Sequence, residues 1–86
     1  MTTDTEFFND PIRVTCSLDE QGQVNLQNIT WQETAYTIVA LGRQWDDEAG
    51  RHVMAESADT TRFELLLARE DLIWRVKKVW RRSALA

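Results

Sequence analysis

Residues 61–82 constrain the fold of this chain most, because they hold the densest apolar run and most of the positive charge. Their apolar residues recur at spacings of three, four and seven, which is typical of an amphipathic helix. They also alternate along two short runs around the polar turn Arg69-Glu70-Asp71, which is typical of a β-hairpin. The helical stripe comprises Leu65, Leu66, Leu72, Ile73, Val76, Val79 and Trp80, whereas the hairpin aligns Phe63, Leu65 and Leu67 with Leu72, Trp74 and Val76.

Residue preferences favour the hairpin over the helix. Thr60, Thr61 and Phe63 open the run with residues that prefer strands, and its second half is rich in Ile, Val and Trp. The rest of the chain also has strand-like patterns, and natural sequences tend to be locally consistent with their fold. The alternative is an α+β fold with a C-terminal helix over residues 62–82.

Runs elsewhere in the chain predict further strands. Residues 12–18 alternate apolar and polar side chains, as expected for a strand with one buried face. Residues 35–41 are rich in Tyr, Thr, Ile and Val, and residues 52–57 form a weaker alternating run. Turn residues separate these runs at intervals of roughly eight to twelve residues. The sequence therefore predicts a mainly β fold, a small antiparallel meander of five or six strands that forms a barrel or a bent sheet.

Length and composition indicate one globular domain over residues 1–86, with residues 1–6 and 83–86 expected to be frayed. Hydrophobic residues make up 43% and charged residues 28% of the chain, which is too apolar for disorder. No run of eighteen apolar residues predicts a membrane span, and the N-terminus carries acids where an export signal would carry basic residues. We therefore expect a cytoplasmic protein that does not enter the membrane.

Charge is distributed unevenly along the chain. Residues 1–61 carry eleven acidic residues against three arginines, whereas residues 62–86 carry seven basic residues against three acidic ones. The overall acidity argues against non-specific binding to duplex nucleic acid. The basic C-terminal part could still contact an acidic partner or a phosphate backbone.

No combination of residues predicts catalysis. Cys16 is the only cysteine and is expected to be a small buried residue on a strand, while His52 is the only histidine and is expected at the surface or at an edge. The acidic segment 46–50 lacks the spacing of a calcium loop and is typical of a solvated hairpin turn. The three glycines are scattered singly, so no phosphate-binding loop is present in the sequence. We therefore expect no enzyme activity, no cofactor, no metal and no small-molecule substrate.

The C-terminal aromatic and basic residues are the candidate contact residues. Small β domains that bind single-stranded nucleic acid stack bases on exposed aromatic rings and place basic side chains along the phosphate backbone. The alternative is that the tryptophans fill the core and the charges cover the opposite face, because large aromatic side chains are usually buried. The candidate residues are Trp74, Arg75, Lys77, Lys78, Trp80, Arg81 and Arg82.

Several apolar and aromatic positions resemble a family of uncharacterised small bacterial β domains. Members of that family are stand-alone or attached to Y-family DNA-polymerase-like proteins of translesion repair. The resemblance implies a small β domain that assists near DNA rather than a catalyst, and it supplies no site residues. The positions that carry it are Phe8-Asn9-Asp10-Pro11-Ile12-Arg13-Val14, Ile29-Thr30-Trp31, Tyr36-Thr37-Ile38, Trp45, Arg62-Phe63-Glu64-Leu65 and Ile73-Trp74-Arg75-Val76.

Two functional hypotheses follow from the sequence. The first is a non-catalytic interaction domain that binds an unknown protein partner or a second copy of itself, through a strand edge or through the basic C-terminal strand. The second is a module that binds single-stranded nucleic acid in association with DNA repair.

Overall fold

In the computed structural model, which describes residues 3–82, the chain forms one sheet of seven antiparallel strands. The strands lie in the order β1-β7-β6-β5-β4-β3-β2, so consecutive strands from β2 to β7 are neighbours and β1 is added beside β7. The strands are β1 (Thr3–Pro11), β2 (Arg13–Leu18), β3 (Val24–Trp31), β4 (Thr34–Asp47), β5 (Gly50–Ser57), β6 (Arg62–Ala68) and β7 (Trp74–Arg82).

The predicted mainly β fold is confirmed, and the alternative helix over residues 62–82 is wrong. These residues form β6 and β7, in which Phe63 pairs with Val79 and Leu65 pairs with Val76. All four side chains are fully buried on the same face, and this cross-strand packing outweighs the helical spacing of the apolar residues. The part of the chain that the structure describes has no helix long and apolar enough to cross a membrane.

The structure does not match the predicted five or six strands, and of the predicted barrel or bent sheet it does not match the barrel. The sheet has seven strands and is open, because β1 and β2 occupy its two edges and do not pair with each other. The additional strand is β1. The sequence predicted that residues 1–6 are frayed. Residues 3–6 instead belong to β1 and pair with residues 79–82 of β7. Residues 1–2 and 83–86 lie outside the described part of the chain.

The sheet bends around a core centred on Trp31. The Trp31 ring lies 4.8 Å from the ring of Phe8 in β1 and 6.1 Å from the ring of Phe63 in β6, although β3 is not a neighbour of either strand. Burying an aromatic side chain of this kind contributes roughly 1.5–3 kcal/mol. We call the face that carries this core the inner face of the sheet. Its buried residues are Val24, Leu26, Ile29, Trp31, Val53, Ala55, Phe63, Leu65, Val76 and Val79.

The long strand β4 takes part in two pairings and links the two halves of the bent sheet. Its first four residues pair with β3, whereas Ile38–Asp47 pair with β5. Where β3 and β4 diverge, the side-chain amide of Gln44 replaces the missing strand partner. Val24 N–H donates to Gln44 Oε1 at 3.1 Å, and Gln44 Nε2 donates to the Val24 carbonyl at 2.8 Å.

Two turns depend on unusual backbone conformations. Gln32 and Glu33 join β3 to β4 with φ values of 51° and 63°, so both central residues of this two-residue hairpin loop lie in the left-handed region. The turn between β6 and β7 extends beyond the predicted Arg69-Glu70-Asp71. Leu72 has φ of 60° and is 72% exposed, so it belongs to the turn and not, as the alternation predicted, to the following strand.

Candidate functional site

The predicted contact residues lie on β7, which is inside the sheet. β7 pairs with β1 on one side and with β6 on the other, so its backbone hydrogen-bonding groups already have neighbouring strands. It can therefore offer side chains to a partner but no free strand edge. Arg82 pairs with Thr3 through its backbone, while its side chain lies outside the described part of the structure.

A bulge in β7 places its two tryptophans on opposite faces of the sheet. Lys77 has no partner in β6, because the pairing shifts by one residue next to Glu64. In a regular strand Trp74 and Trp80 would share one face, but the extra residue reverses the alternation between them. Trp74 packs against the core on the inner face, whereas Trp80 lies on the outer face opposite Arg62. The predicted continuous row of aromatic and basic residues is therefore divided.

The described basic side chains of β7 have polar partners within the domain. Arg75 donates two hydrogen bonds to Asp71, at 2.9 and 3.2 Å, and these bonds hold the pKa of the Asp71 carboxyl below its ordinary value. Internal pairing of this kind reduces the positive charge that β7 can offer to a phosphate backbone. The other pairs are Lys77 Nζ with Asn9 Oδ1 at 2.9 Å, Lys78 with Glu64 at 3.7 Å and Arg81 with Glu6 at 3.3 Å.

His52 lies in a cluster on the outer face and is buried, with 7% of its surface exposed, contrary to the expectation of a surface histidine. Its Nε2 lies 2.8 Å from Asp47 Oδ2, and its Nδ1 lies 3.2 Å from Glu64 Oε2. Both contacts are hydrogen bonds to ionised carboxylates when the imidazole carries two N–H groups. The bond from His52 holds the pKa of the Asp47 carboxyl below its ordinary value. Trp45 stacks on the imidazole, with the ring centroids 4.8 Å apart.

The His52 cluster, defined as Trp45, Asp47, His52 and Glu64, connects three neighbouring strands. Because both imidazole nitrogens are engaged by carboxylates, neither is open to exchange a proton with a bound molecule. Among the described residues, no group of three His, Cys, Asp or Glu side chains is arranged to hold a metal ion. The cluster is therefore best understood as a polar cross-link between β4, β5 and β6.

The acidic turn between β4 and β5 is held together by its own carboxylates. Asp47 Oδ1 accepts hydrogen bonds from the backbone N–H groups of Ala49 and Gly50, at 2.9 and 3.3 Å. Asp46 accepts two bonds from Arg51, at 2.7 and 3.0 Å, and these bonds lower the pKa of the Asp46 carboxyl. These acids thus serve the hairpin, in keeping with the turn that the sequence predicted.

A depression of about 550 Å³ on the outer face lies beside β7. Its floor includes the buried side chains of Leu66 and Ala68. Acidic and basic side chains both contribute to its rim, so the depression has no single sign of charge that would select an anion or a cation. The charged rim residues are Glu48, Arg69, Glu70, Arg75 and Lys77.

Strand β2 forms one edge of the sheet and pairs only with β3. Residues 14–18 carry no charge, and every side chain of β2 is exposed except that of Val14, which is half-buried. The pairing irregularity with β3 leaves Gln27 of β3 unpaired, so β2 itself keeps a regular alternation. Cys16 is exposed, contrary to expectation, because no strand lies beyond this edge to cover it.

Other unpaired strand segments in the described chain are better protected against pairing with another protein. The edge strand β1 carries Glu6, Asp10 and Pro11 and has a break in register between Phe7 and Asp10. The part of β4 that leaves β3, residues 38–43, has two breaks in its pairing with β5. Charges, proline and bulges are the devices by which natural sheets prevent edge pairing. β2 lacks all three between Val14 and Leu18.

The sequence identified β2 as a strand but not as an edge. Alternation along residues 12–18 shows which side chains share a face, but it does not show how many neighbours the strand has. The uncharged segment 14–18 gave no local signal of an edge, since protected edge strands usually carry charge. The Trp45–His52 contact did have a signal, because a hairpin turn over residues 48–49 places these two residues opposite each other.

Comparisons with known proteins give no relative from which a function could be transferred. No family model matches the chain, and no curated protein and no solved structure is significantly similar to it.

Proposed function

We propose that this domain is a non-catalytic interaction module that binds an extended polypeptide segment as an additional strand on β2. The observation that carries the proposal is the regular, uncharged and unpaired edge formed by residues 14–18. In strand addition, main-chain hydrogen bonds supply affinity, and the alternating side chains select the sequence of the partner. The module acts through backbone groups and needs no catalytic residue.

The side chains of β2 indicate which partner strands would fit. Val14, Cys16 and Leu18 pair with residues of β3 that are buried in the core, so they belong to the inner face. Leu18 is nevertheless 70% exposed, because the edge leaves it uncovered. A partner strand with apolar side chains at alternate positions would cover Leu18 and extend the inner face, whereas its other side chains would lie beside the hydroxyls of Thr15 and Ser17.

A nuclear magnetic resonance titration tests this proposal. The probe is an acetylated and amidated heptapeptide of alternating threonine and valine, added to the isotopically labelled domain. We expect shifts of the amide signals of residues 13–18 and slower hydrogen exchange there, because the new strand engages these backbone groups. The matched control is the same peptide with every amide between residues N-methylated, which removes the donors from both edges and should not bind. Shifts confined to β7, or equal shifts with both peptides, would sink the proposal.

Binding of single-stranded nucleic acid is a second candidate function, favoured by aromatic and basic residues on the outer face. Phe7 is 72% exposed and lies opposite Lys78, while Trp80 lies opposite Arg62. Stacked bases and phosphate contacts need this combination. The internal pairing of Lys78 and Arg62 with Glu64 and Glu56, at 3.7 and 3.6 Å, weakens it.

Titration with oligothymidylate at low salt separates this candidate from strand addition. If the outer face stacks bases beside Phe7 and Lys78, tryptophan fluorescence should be quenched in the domain and in Trp74→Phe, but much less in Trp80→Phe, since Trp80 lies on that face, Trp74 lies on the inner face and the Trp45 ring is stacked on His52. Quenching should also weaken as salt rises. Unchanged fluorescence at low salt would rule the candidate out.

A further inference from the structure

The exposed edge strand β2 has a sequence that is chemically complementary to itself. It reads Arg13-Val14-Thr15-Cys16-Ser17-Leu18 and is followed by Asp19. Cys16 is the central residue of this seven-residue segment. The residues at equal distances on either side of Cys16 are chemically matched. The first pair, Thr15 and Ser17, carries hydroxyl groups, the second, Val14 and Leu18, is apolar, and the third, Arg13 and Asp19, has opposite charges.

We infer that the partner on this edge is a second copy of the same chain, paired antiparallel through β2 with Cys16 on the two-fold axis. The inference rests on the proposed function, because it names the strand that β2 takes up. In this register each residue faces its chemical complement, and cross-strand pairs of these kinds each contribute roughly 0.2–1 kcal/mol relative to alanine pairs. The pairs are Arg13 with Asp19, Val14 with Leu18, Thr15 with Ser17 and Cys16 with Cys16 of the second copy.

Neighbouring registers lose this complementarity. If the axis passed through Thr15, Arg13 would face Ser17 and Asp19 would face Pro11, so neither charge would meet its opposite, although Leu18 would still face the apolar Ile12. If it passed through Ser17, Asp19 would face Thr15 and Arg13 would fall outside the paired segment. The register centred on Cys16 is therefore selected over its neighbours by charge, because only in that register do Arg13 and Asp19 face each other.

The surroundings of β2 fit a symmetric contact between two copies. Asp19 Oδ1 holds the following turn by accepting from the N–H groups of Gln21 and Gln23, both at 2.9 Å, which leaves Oδ2 to face Arg13 of the second copy. The exposed Leu18 would pack beside Val14 of that copy, so that the inner faces of the two sheets become continuous. Two strands of this length bury less than the roughly 1,200 Å² of stable complexes, so we expect a weak dimer.

Charge variants at the facing hydroxyl residues test the register. Thr15 and Ser17 are exposed, so charges there should leave the fold intact. In Thr15→Lys/Ser17→Lys like charges meet across the axis, and sedimentation over a concentration series should show monomer only. In Thr15→Lys/Ser17→Glu opposite charges meet, and the dimer should persist at least as strongly as in the unsubstituted protein. Loss of the dimer in both variants would overturn the register.

Oxidation of the thiols supplies an independent readout. Residues directly opposite in an antiparallel pair have Cα atoms roughly 4.5–5.5 Å apart, which lies within the range of a disulfide. Diamide takes up the two electrons and two protons of the two thiols, so it should join two copies through Cys16. In the control Cys16→Ser/Ser17→Cys the thiols lie about 8 Å apart in the inferred register and should join much more slowly. Equal rates would contradict the inference.

The experiments separate this inference from the proposed function. If the protein stays monomeric at high concentration while the threonine–valine peptide still shifts the amide signals of residues 13–18, the inference of a second copy is overturned and the proposal of strand addition stands. If neither the peptide nor a second copy engages β2, the proposed function fails as well.

Discussion

His52 is held by carboxylates of two strands that are neighbours of its own. Asp47 belongs to β4 and Glu64 to β6, so a single imidazole ties β5 to both. The Glu64 side chain is only 12% exposed, which makes its hydrogen bonds more important than those of a surface carboxylate. Removal of the imidazole would leave Glu64 with Lys78, 3.7 Å away, as its remaining charged partner.

We predict that His52→Ala lowers the free energy of unfolding by about 1–3 kcal/mol, because it leaves a largely buried carboxylate without a hydrogen-bond donor. Urea unfolding followed by circular dichroism measures the change. The second substitution, Glu64→Gln, serves as the coupled control, since the double variant should lose less than the sum of the two single variants. Strict additivity would show that the two side chains do not stabilise each other.

The turn between β3 and β4 shows how an element can form despite unfavourable residues. Two consecutive residues with positive φ favour Asn-Gly, and this chain has Gln32-Glu33 instead. The pairing of Trp31 with Thr34 and the burial of Trp31 hold the turn in place. Side-chain packing on the strands thus overrides the preference of the loop.

We predict that Gln32→Asn/Glu33→Gly stabilises the domain by about 1 kcal/mol, because Asn and Gly adopt the left-handed region at a lower cost than Gln and Glu do. The gain is partly offset because glycine adds some entropy to the unfolded chain. A rise in the thermal midpoint, measured by scanning calorimetry, would show this. Gln21→Asn, in the exposed turn after β2, is the matched control and should leave the midpoint nearly unchanged. A lower midpoint in the double variant would refute the prediction.

Sequence patterns located most elements of this fold, for reasons that differ between them. Alternation found β2 over residues 12–18 and the β6–β7 hairpin, since strands with one buried face have a period of two. It missed β1, because this acidic segment becomes a strand only when β7 is beside it. It also assigned Trp80 to the face of Trp74, because no local signal marks Lys77 as an extra residue.

The candidate site was less predictable than the fold. The sequence pointed to the basic residues of β7, whereas the unprotected edge is β2, at the opposite side of the sheet order. Whether a strand is an edge depends on the neighbours of the whole sheet and not on its own residues. Only the strand order therefore distinguishes β2 from the strands inside the sheet.

Across the whole molecule, hydrogen-bonded aspartates make the free energy of unfolding depend on pH in the acidic range. Hydrogen bonds from Arg51, His52, Ser57 and Arg75 lower the pKa values of Asp46, Asp47, Asp59 and Asp71, respectively. A carboxyl whose pKa is lower in the folded state contributes stability above its unfolded value, here 3.8. That contribution is lost as the pH falls through the folded value.

We predict that the free energy of unfolding falls as the pH drops below 3.8, and that Asp71→Asn and Arg75→Gln each make this fall less steep. Urea unfolding at a series of acidic pH values measures the slope. The two substitutions remove the same interaction, so the fall in the free energy of unfolding with pH should be no less steep in the double variant than in either single variant. An unchanged slope in both single variants would contradict the role of this pair.

The bulge at Lys77 makes this one position of the last strand dispensable for the orientation of the side chains around it. A substitution at Lys77 changes one half-buried side chain, and deletion of that residue would make Val76 and Lys78 consecutive, opposite the consecutive residues Leu65 and Glu64. Lys78 would stay on the outer face, and Val79 would stay buried in the core. Relatives of this chain should therefore vary in residue type at this position and tolerate its deletion.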